Sequence, residues 1–435
     1  MSDIQIGLLG IACLFALIAL RVPIGVALIT ISFTGLWILF DWNLAWGSIG
    51  LIPYQFASSW LLSSVPMFLL MGYICYHAQL TQGLFRAARM WLSAVPGGLA
   101  VAAVVGSAGF AAVSGSSVAT SAAMGRIAIP EMMRNRYDPE LATGSVAVAG
   151  TIGALIPPSI IMILYGVIAE VSVTALFLAG ITAGLITMFG YIIVILIRVK
   201  LNPALAPEPD EPTTWADRFL ALKDTWPVVL IMIGVFGGLF GGLFTPTEAG
   251  ATGAFLACVT AVIKRSLRWE QFKNAILETV LTTAALLIIG IGASLLTRFL
   301  ALSGTGDFLS TTVLALELDP MMLIIAFAIV YILLGMFMEP IGAMLLTLPI
   351  VLPILEPTGF SLIWFGIIVT KLVEIGMITP PIGMNVFVIK SVVRDMVSTT
   401  AIFRGIFWFL IMDLFVLALL IAFPRIVLQL PLMAS

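Results

Sequence analysis

Apolar runs of roughly 17 to 25 residues recur from end to end of the chain, at 4–20, 23–40, 60–80, 140–168, 174–198, 226–243, 247–263, 276–297, 361–390 and 402–424. A helix needs about 20 such residues, rising 1.5 Å each, to cross the hydrocarbon of a bilayer. Two further apolar segments, 96–133 and 319–356, are too short for two comfortable spans and a turn. Each is interrupted at its centre by polar or proline-bearing residues, SGSSVAT at 114–120 and MEPIG at 338–342. These are expected to be re-entrant hairpins. The pattern predicts an all-α polytopic membrane protein with about ten transmembrane helices and two hairpins.

Composition agrees: 61% of the 435 residues are apolar, 10% are charged, and the mean hydropathy is +1.18. The net charge of −2 says nothing about partners in such a protein, and nothing suggests nucleic acid. Cys13, Cys75 and Cys258 are scattered without metal or redox spacing, so they read as filler. The first run lacks a basic leader and a cleavage site, which makes it a span and not a signal peptide.

The basic residues orient the chain. With the N-terminus outside, sixteen of the 20 Lys and Arg fall on the cytoplasmic side. Only Arg298 and Arg425 lie outside, while Arg126 and Lys371 sit within apolar segments. This is the positive-inside asymmetry. The longest hydrophilic loop, NPALAPEPDEPTTWADR, is then a cytoplasmic linker between two halves.

Those halves repeat. IGALIPP at 152–158 matches IGMITPP at 375–381, an offset of 223 residues. The same offset carries Pro23 onto Pro246, Pro130 onto Pro353, and the first hairpin onto the second. Four coincidences among 12 and 11 prolines compare with about 0.6 expected by chance. Five spans separate the hairpins, so the second enters from the opposite face and the repeats are inverted, the build of secondary transporters. The expected organisation is an N-terminal span, 1–21, and repeat 1, 22–198, with hairpin 96–133 and broken helix 140–168. A cytoplasmic linker, 199–225, and a span, 226–244, lead to repeat 2, 245–421, with hairpin 319–356 and broken helix 361–390. A tail, 422–435, follows.

Proline has no N–H for the carbonyl four residues back. Pro157 and Pro158 therefore free the carbonyls of Gly153 and Ala154, and Pro380 and Pro381 those of Gly376 and Met377. The residues before them, Ile156 and Thr379, leave the α region. Bare carbonyls survive at membrane depth only if they line a cavity or bind something. With the hydroxyls of Ser114, Ser116, Ser117, Thr120, Thr151 and Thr379 they suit a hard cation, sodium before a transition metal, because no His or Cys cluster accompanies them. The alternative is a kinked helix whose prolines serve packing. Glu248 in TPTEAG either stabilises a helix start or has a functional role, and Glu339 at the second tip is exposed or lines the pathway. Lys371 and Glu374, three apart on one helical face, form an ion pair or meet substrate. Asp413, mid-span, must face protein or water, and His77 is interfacial.

SGSSVATSAAMG, GALIPPS, FTPTEAGATGAF, LGMFMEPIGAMLLTLPI and GMITPPIGMN together resemble, in order and over essentially the whole chain, the large membrane (M) subunit of tripartite ATP-independent periplasmic (TRAP) transporters. The resemblance implies an elevator-type, sodium-driven importer of a small organic anion, usually a carboxylate, in the bacterial inner membrane. It implies two partners, a soluble periplasmic binding protein and a small four-span membrane subunit. Because this chain starts at the M-type first span, the small subunit is expected to be a separate polypeptide. Sodium is the implied coupling ion, with no cofactor. One implied sodium site joins the first tip, Ser114 to Thr120, to the break at Gly153 to Pro157. The second joins Met338 to Gly342 with Gly376 to Thr379. The resemblance also strengthens a functional role for Glu248.

The nearest alternative is a stand-alone sodium–carboxylate symporter of the same superfamily. A channel is a further alternative. An intramembrane hydrolase built on SGSS would need a base, and no Ser–Lys pair or nearby histidine supplies one. The positive-inside count generates a first prediction: both termini are periplasmic. A reporter active only in the periplasm should work when fused after Ser435. Activity of a cytoplasm-only reporter there would reject the ten-span, two-hairpin topology.

Overall fold

The computed structural model describes residues 1–207, 214–316 and 319–434, and these are helical with no strand among them. The centre of the hydrophilic loop, 208–213, lies outside the described residues. The first half contains α1 (Asp3–Ala19), α2 (Ile24–Leu39), α3 (Trp42–Ala57), α4 (Ser64–His77), α5 (Gln82–Leu92), α6 (Gly98–Ser114), α7 (Ser117–Arg134), α8 (Pro139–Leu155), α9 (Ile160–Ile168) and α10 (Val173–Leu201). The second contains α11 (Trp215–Lys223), α12 (Trp226–Phe240), α13 (Pro246–Ile263), α14 (Trp269–Leu302), α15 (Thr305–Ala315), α16 (Pro320–Phe337), α17 (Pro340–Leu355), α18 (Leu362–Gly376), α19 (Met384–Val393), α20 (Thr399–Ala422) and α21 (Arg425–Ala434). By length and composition eight of the described helical segments could cross a membrane, or nine if the bent pair α11–α12 is one span. Every apolar run of the sequence is a helix or a broken pair.

The sequence pattern left 42–57, 82–92 and 305–315 unassigned and placed 215–223 in the linker, and all four are helices. They mix polar with apolar residues and lie partly on the surface, where Trp42, Trp46, Tyr54, Trp215 and Phe219 are exposed. Such helices carry no span-length apolar signal. Within 199–225, α11 docks on α5, with Trp91 edge-on to Trp215 and Phe219 and its indole N–H donating to the Arg218 carbonyl.

Shifted by 223 residues, α5 falls on α15, α6 on α16, α7 on α17, α8 on α18 and α9 on α19, to within a residue or two at their starts. Capping follows the same offset. Asp138 accepts from the Leu141 N–H at 3.0 Å to start α8, and Ser361 accepts from the Trp364 N–H at 3.4 Å to start α18. Side-chain caps of this kind satisfy donors left free by the first helical turn. Each interruption resumes as a short helix, α9 or α19, and the bond between its two prolines is cis.

Two sets of helices pack around these repeats. In one, α2 lies along α14 and α13 along α4. In the other, α6, α7, α10, α19 and α20 surround α8, while α16 and α17 pack on α18. The two hairpins thus cradle the two broken helices. Small residues bring helices close where lipid provides no hydrophobic drive. A Cβ on Gly25 would sit 2.6 Å from Ile288 Cγ2 and 3.1 Å from its backbone. The Gly25→Leu variant should therefore separate α2 from α14 and destabilise the fold by about 1–3 kcal/mol, as overpacking does. Gly50→Leu, where a Cβ meets nothing within 4 Å, should change little. Melting temperatures in detergent compare the two.

Candidate cation and substrate site

Helix α8 ends where the sequence expects it to. Ile156 is extended (φ −76°, ψ 125°), and α9 restarts behind Ser159, whose hydroxyl accepts from the Met162 N–H. Among the described residues no backbone N–H donates to the carbonyls of Gly153 or Ala154. The first hairpin tip packs against this break. Gly115 turns the chain in the left-handed region (φ 62°), and a Cβ there would lie 2.3 Å from the Pro158 carbonyl oxygen. Gly153 is equally tight: a Cβ would meet Thr120 Oγ1 at 2.8 Å and the Ser116 carbonyl oxygen at 2.9 Å. The Thr120 hydroxyl donates to the Ser116 carbonyl at 2.8 Å and lies 3.1 Å from Ser114 Oγ. Ser114, Ser116, Thr120 and the Gly153 break therefore converge, all oxygen-bearing. Ser117 turns elsewhere.

The second break differs. The carbonyls of Gly376 and Met377, expected to be free, are both paired. Thr379 N–H donates to Gly376 O at 3.0 Å, and Asn385 N–H donates to Met377 O at 3.1 Å. Proline removes only the i+4 donor. A tighter turn and the returning start of α19 supply others. The second tip also stays apart from its break. A Cβ on Gly342 would meet Ile24 Cδ1 at 2.6 Å, whereas one on Gly376 would meet the Gly335 backbone at 2.6 Å and the Ile332 carbonyl oxygen at 2.9 Å, both on α16. Without a side chain on Gly335, α18 settles onto α16. The Thr379 hydroxyl donates back to Ile375 O, and the tip has no hydroxyl of its own. Pro157 and Pro158 are buried, while Pro380 and Pro381 are exposed.

The intrahelical Lys371–Glu374 pair does not form. Lys371 Nζ pairs with Asp413 Oδ1 on α20 and donates to Thr187 Oγ1 at 3.2 Å. Tyr191 OH donates to Asp413 at 2.7 Å and lies 3.0 Å from Thr151 Oγ1. Glu374 instead accepts from the Ser117 hydroxyl at 2.6 Å. Lys371, Glu374 and Asp413 are each 1% exposed. Glu248 is exposed and closes a capping box with Thr245, accepting from its N–H at 2.8 Å, which is the helix-start role. Glu339 is exposed at the second tip and makes no side-chain cap bond. His77 faces Glu278 at 3.3 Å.

A cavity of about 270 Å³ opens beside the first tip, lined by Ser114 and Ser116 on one wall and Tyr73, Tyr76 and Glu278 on the other. A cleft of about 1180 Å³ lies between α5, the end of α10 and α11, and no tip or break residue lines it. Sequence reasoning missed Tyr191, Thr187 and Asn385, since single polar residues in apolar helices carry no spacing signal.

Comparison with known proteins shows the family. Residues 11–426 match the family described as tripartite ATP-independent periplasmic transporter, DctM component. The chain belongs to that family. This permease is 36% identical to the C4-dicarboxylate TRAP transporter large permease DctM of Pseudomonas aeruginosa, over 88% of this chain and 89% of that one. It is 30% identical to the ectoine TRAP transporter large permease TeaC of Halomonas elongata, over 96% and 97%. It is 29% identical to the sialic acid large permease SiaM of Vibrio cholerae, over 85% and 86%. The crystal structure of the Alcanivorax borkumensis YdaH transporter shares the fold, with a TM-score of 0.62 at 15% identity over 88% and 89% of the two chains.

The buried pair of the permease generates a stability prediction. Lys371→Met leaves Asp413 uncompensated and should cost about 3–5 kcal/mol. Adding Asp413→Leu should restore much of that loss. Unfolding of the single and double variants in detergent checks the pair.

Proposed function

We propose that the permease is the translocating subunit of a sodium-coupled importer of a small organic anion, a carboxylate. It works in the bacterial inner membrane with both termini periplasmic. Its partners are a small membrane subunit and a periplasmic binding protein that delivers substrate. The single observation carrying this reading is the convergence of Ser114, Ser116 and Thr120 on the unwound backbone at Gly153. Those oxygens suit a hard monovalent cation and no soft metal. No group of three or more His, Cys, Asp or Glu residues that could hold a metal occurs among the described residues. The relatives' names support the substrate class, since C4-dicarboxylates, sialic acid and ectoine each carry a carboxylate.

Cation binding at the tip holds the hairpin against the break and orders the wall of the 270 Å³ cavity formed by Ser114 and Ser116. Ion and substrate then favour each other's binding, and the coupling is reciprocal. An elevator stroke moves the hairpins with their broken helices past the α2–α14 and α4–α13 pairs. The two repeats contribute unequally, because only the first tip meets its break through oxygen ligands.

In proteoliposomes containing all subunits, uptake should need both sodium and the binding protein. Robust sodium-driven uptake by this chain alone would instead favour the stand-alone symporter. Gly153→Leu should raise the sodium concentration for half-maximal uptake by roughly tenfold or more, a loss typical of displaced ion ligands. Gly376→Leu should mainly lower stability, through Gly335. Unchanged sodium dependence in Gly153→Leu would mean that the first break only kinks its helix.

A further inference from the structure

Among the described residues, the side chains of Lys, Arg, Asp and Glu that are buried number three: Lys371, Asp413 and Glu374. Lys371 and Asp413 form an ion pair, which leaves Glu374 as the one buried acidic side chain without a basic partner; ionised, it would be an uncompensated charge. An uncompensated buried carboxylate is strongly disfavoured. The Ser117 hydroxyl occupies Glu374 Oε1, and Oε2 has no hydrogen-bond partner. Two further side chains are without a hydrogen-bond partner: Ser121 Oγ on α7, and both amide atoms of Asn385, each residue fully buried.

These residues lie on helices that pack together. Ser117 starts α7 against Glu374 near the end of α18, and the Asn385 N–H bond to Met377 returns the start of α19 to that same end. Helices α7 and α19 then run side by side, with Ile389 Cδ1 3.1 Å from a Cβ on Gly125. Ser121 and Asn385 each lie one turn earlier on those contacting helices. Gly150 closes the far side: a Cβ there would sit 1.8 Å from Ser121 Oγ and 3.2 Å from the Ser117 carbonyl.

We propose that Glu374, Ser117, Ser121 and Asn385 form a further site for a monovalent alkali cation, separate from the first hairpin tip. Glu374 supplies the charge, and the neutral oxygens of Ser121 and Asn385 complete the shell. Thr120 and Ser116 use another part of α7 to meet Gly153, so the two sites do not share ligands. The new site joins the hairpin of repeat 1 to the broken helix of repeat 2. It rests on the sodium-coupling reading for the identity of the ion.

The test melts the permease together with its small membrane subunit across sodium chloride, with choline chloride holding ionic strength constant. Glu374→Gln should melt no lower than the parent in choline, because a buried charge is gone. It should need about tenfold more sodium for half-maximal stabilisation, with a smaller Hill coefficient. Asn385→Ala should weaken the sodium response with Glu374 intact, which covers a Gln variant that folds poorly. If Thr120→Ala reduces the sodium response while Glu374→Gln and Asn385→Ala leave it unchanged, this site is overturned and sodium coupling stands. If Glu374→Gln changes only the pH dependence in choline, a proton neutralises the carboxylate and the alkali-cation site is overturned. A parent with no sodium response overturns both.

Discussion

A backbone carbonyl or a charged side chain at membrane depth finds no water, so its partner has to come from within the protein. The interrupted helices α8 and α18 bring both kinds of group to the centre of the fold. Gly153 and Ala154 keep carbonyls without a backbone donor, and Gly153 packs against a hairpin tip that has three hydroxyl-bearing residues, Ser114, Ser116 and Thr120. Lys371, Asp413 and Tyr191 close a network across α18, α20 and α10. The first hairpin tip packs against its break through those hydroxyl-bearing residues, whereas the second hairpin meets α18 through Gly335. The surrounding helices hold that centre through glycine contacts and extensive apolar burial.

The two repeats satisfy the same constraint by different routes. In repeat 1 the break is buried and its tip supplies oxygen. In repeat 2 the chain folds back on itself, Thr379 to Gly376 and Asn385 to Met377, and its prolines reach the surface. Sequence similarity between IGALIPP and IGMITPP thus conceals a difference in hydrogen bonding. Residues outside the motif decide it: hydroxyls at 114–120 on one side, and Gly335 beneath Gly376 on the other.

Much of the fold was legible because span-length apolar runs and proline breaks are strong signals. The 223-residue offset, noticed on four proline pairs, recurs in five successive helices and in the caps at Asp138 and Ser361. The short amphipathic helices were not legible, since polar and apolar residues alternate in them at no membrane-length scale. At the centre, the convergence on Gly153 followed from proline chemistry and nearby hydroxyls. The partners of Lys371 and Glu374 did not. Spacing of three on a helix makes a pair possible, but tertiary packing offered Lys371 a carboxylate on α20 and Glu374 a hydroxyl on α7. Such choices between near and distant partners are invisible until helices are placed.

The crossed pairing of α2 with α14 and α4 with α13 bears on how the protein is made. Helices α2 and α4 take their main partners from the later half, so they leave the ribosome with these close-packing surfaces uncovered. Gly25 awaits Ile288, and Met67 and Met71 await Gly250 and Gly253. These helices have to dwell in lipid, individually stable but unassembled, until roughly two hundred further residues have been inserted. Chain order thus makes completion of the carrier a late event in biogenesis, and a chain halted at its midpoint holds every early helix but none of these contacts.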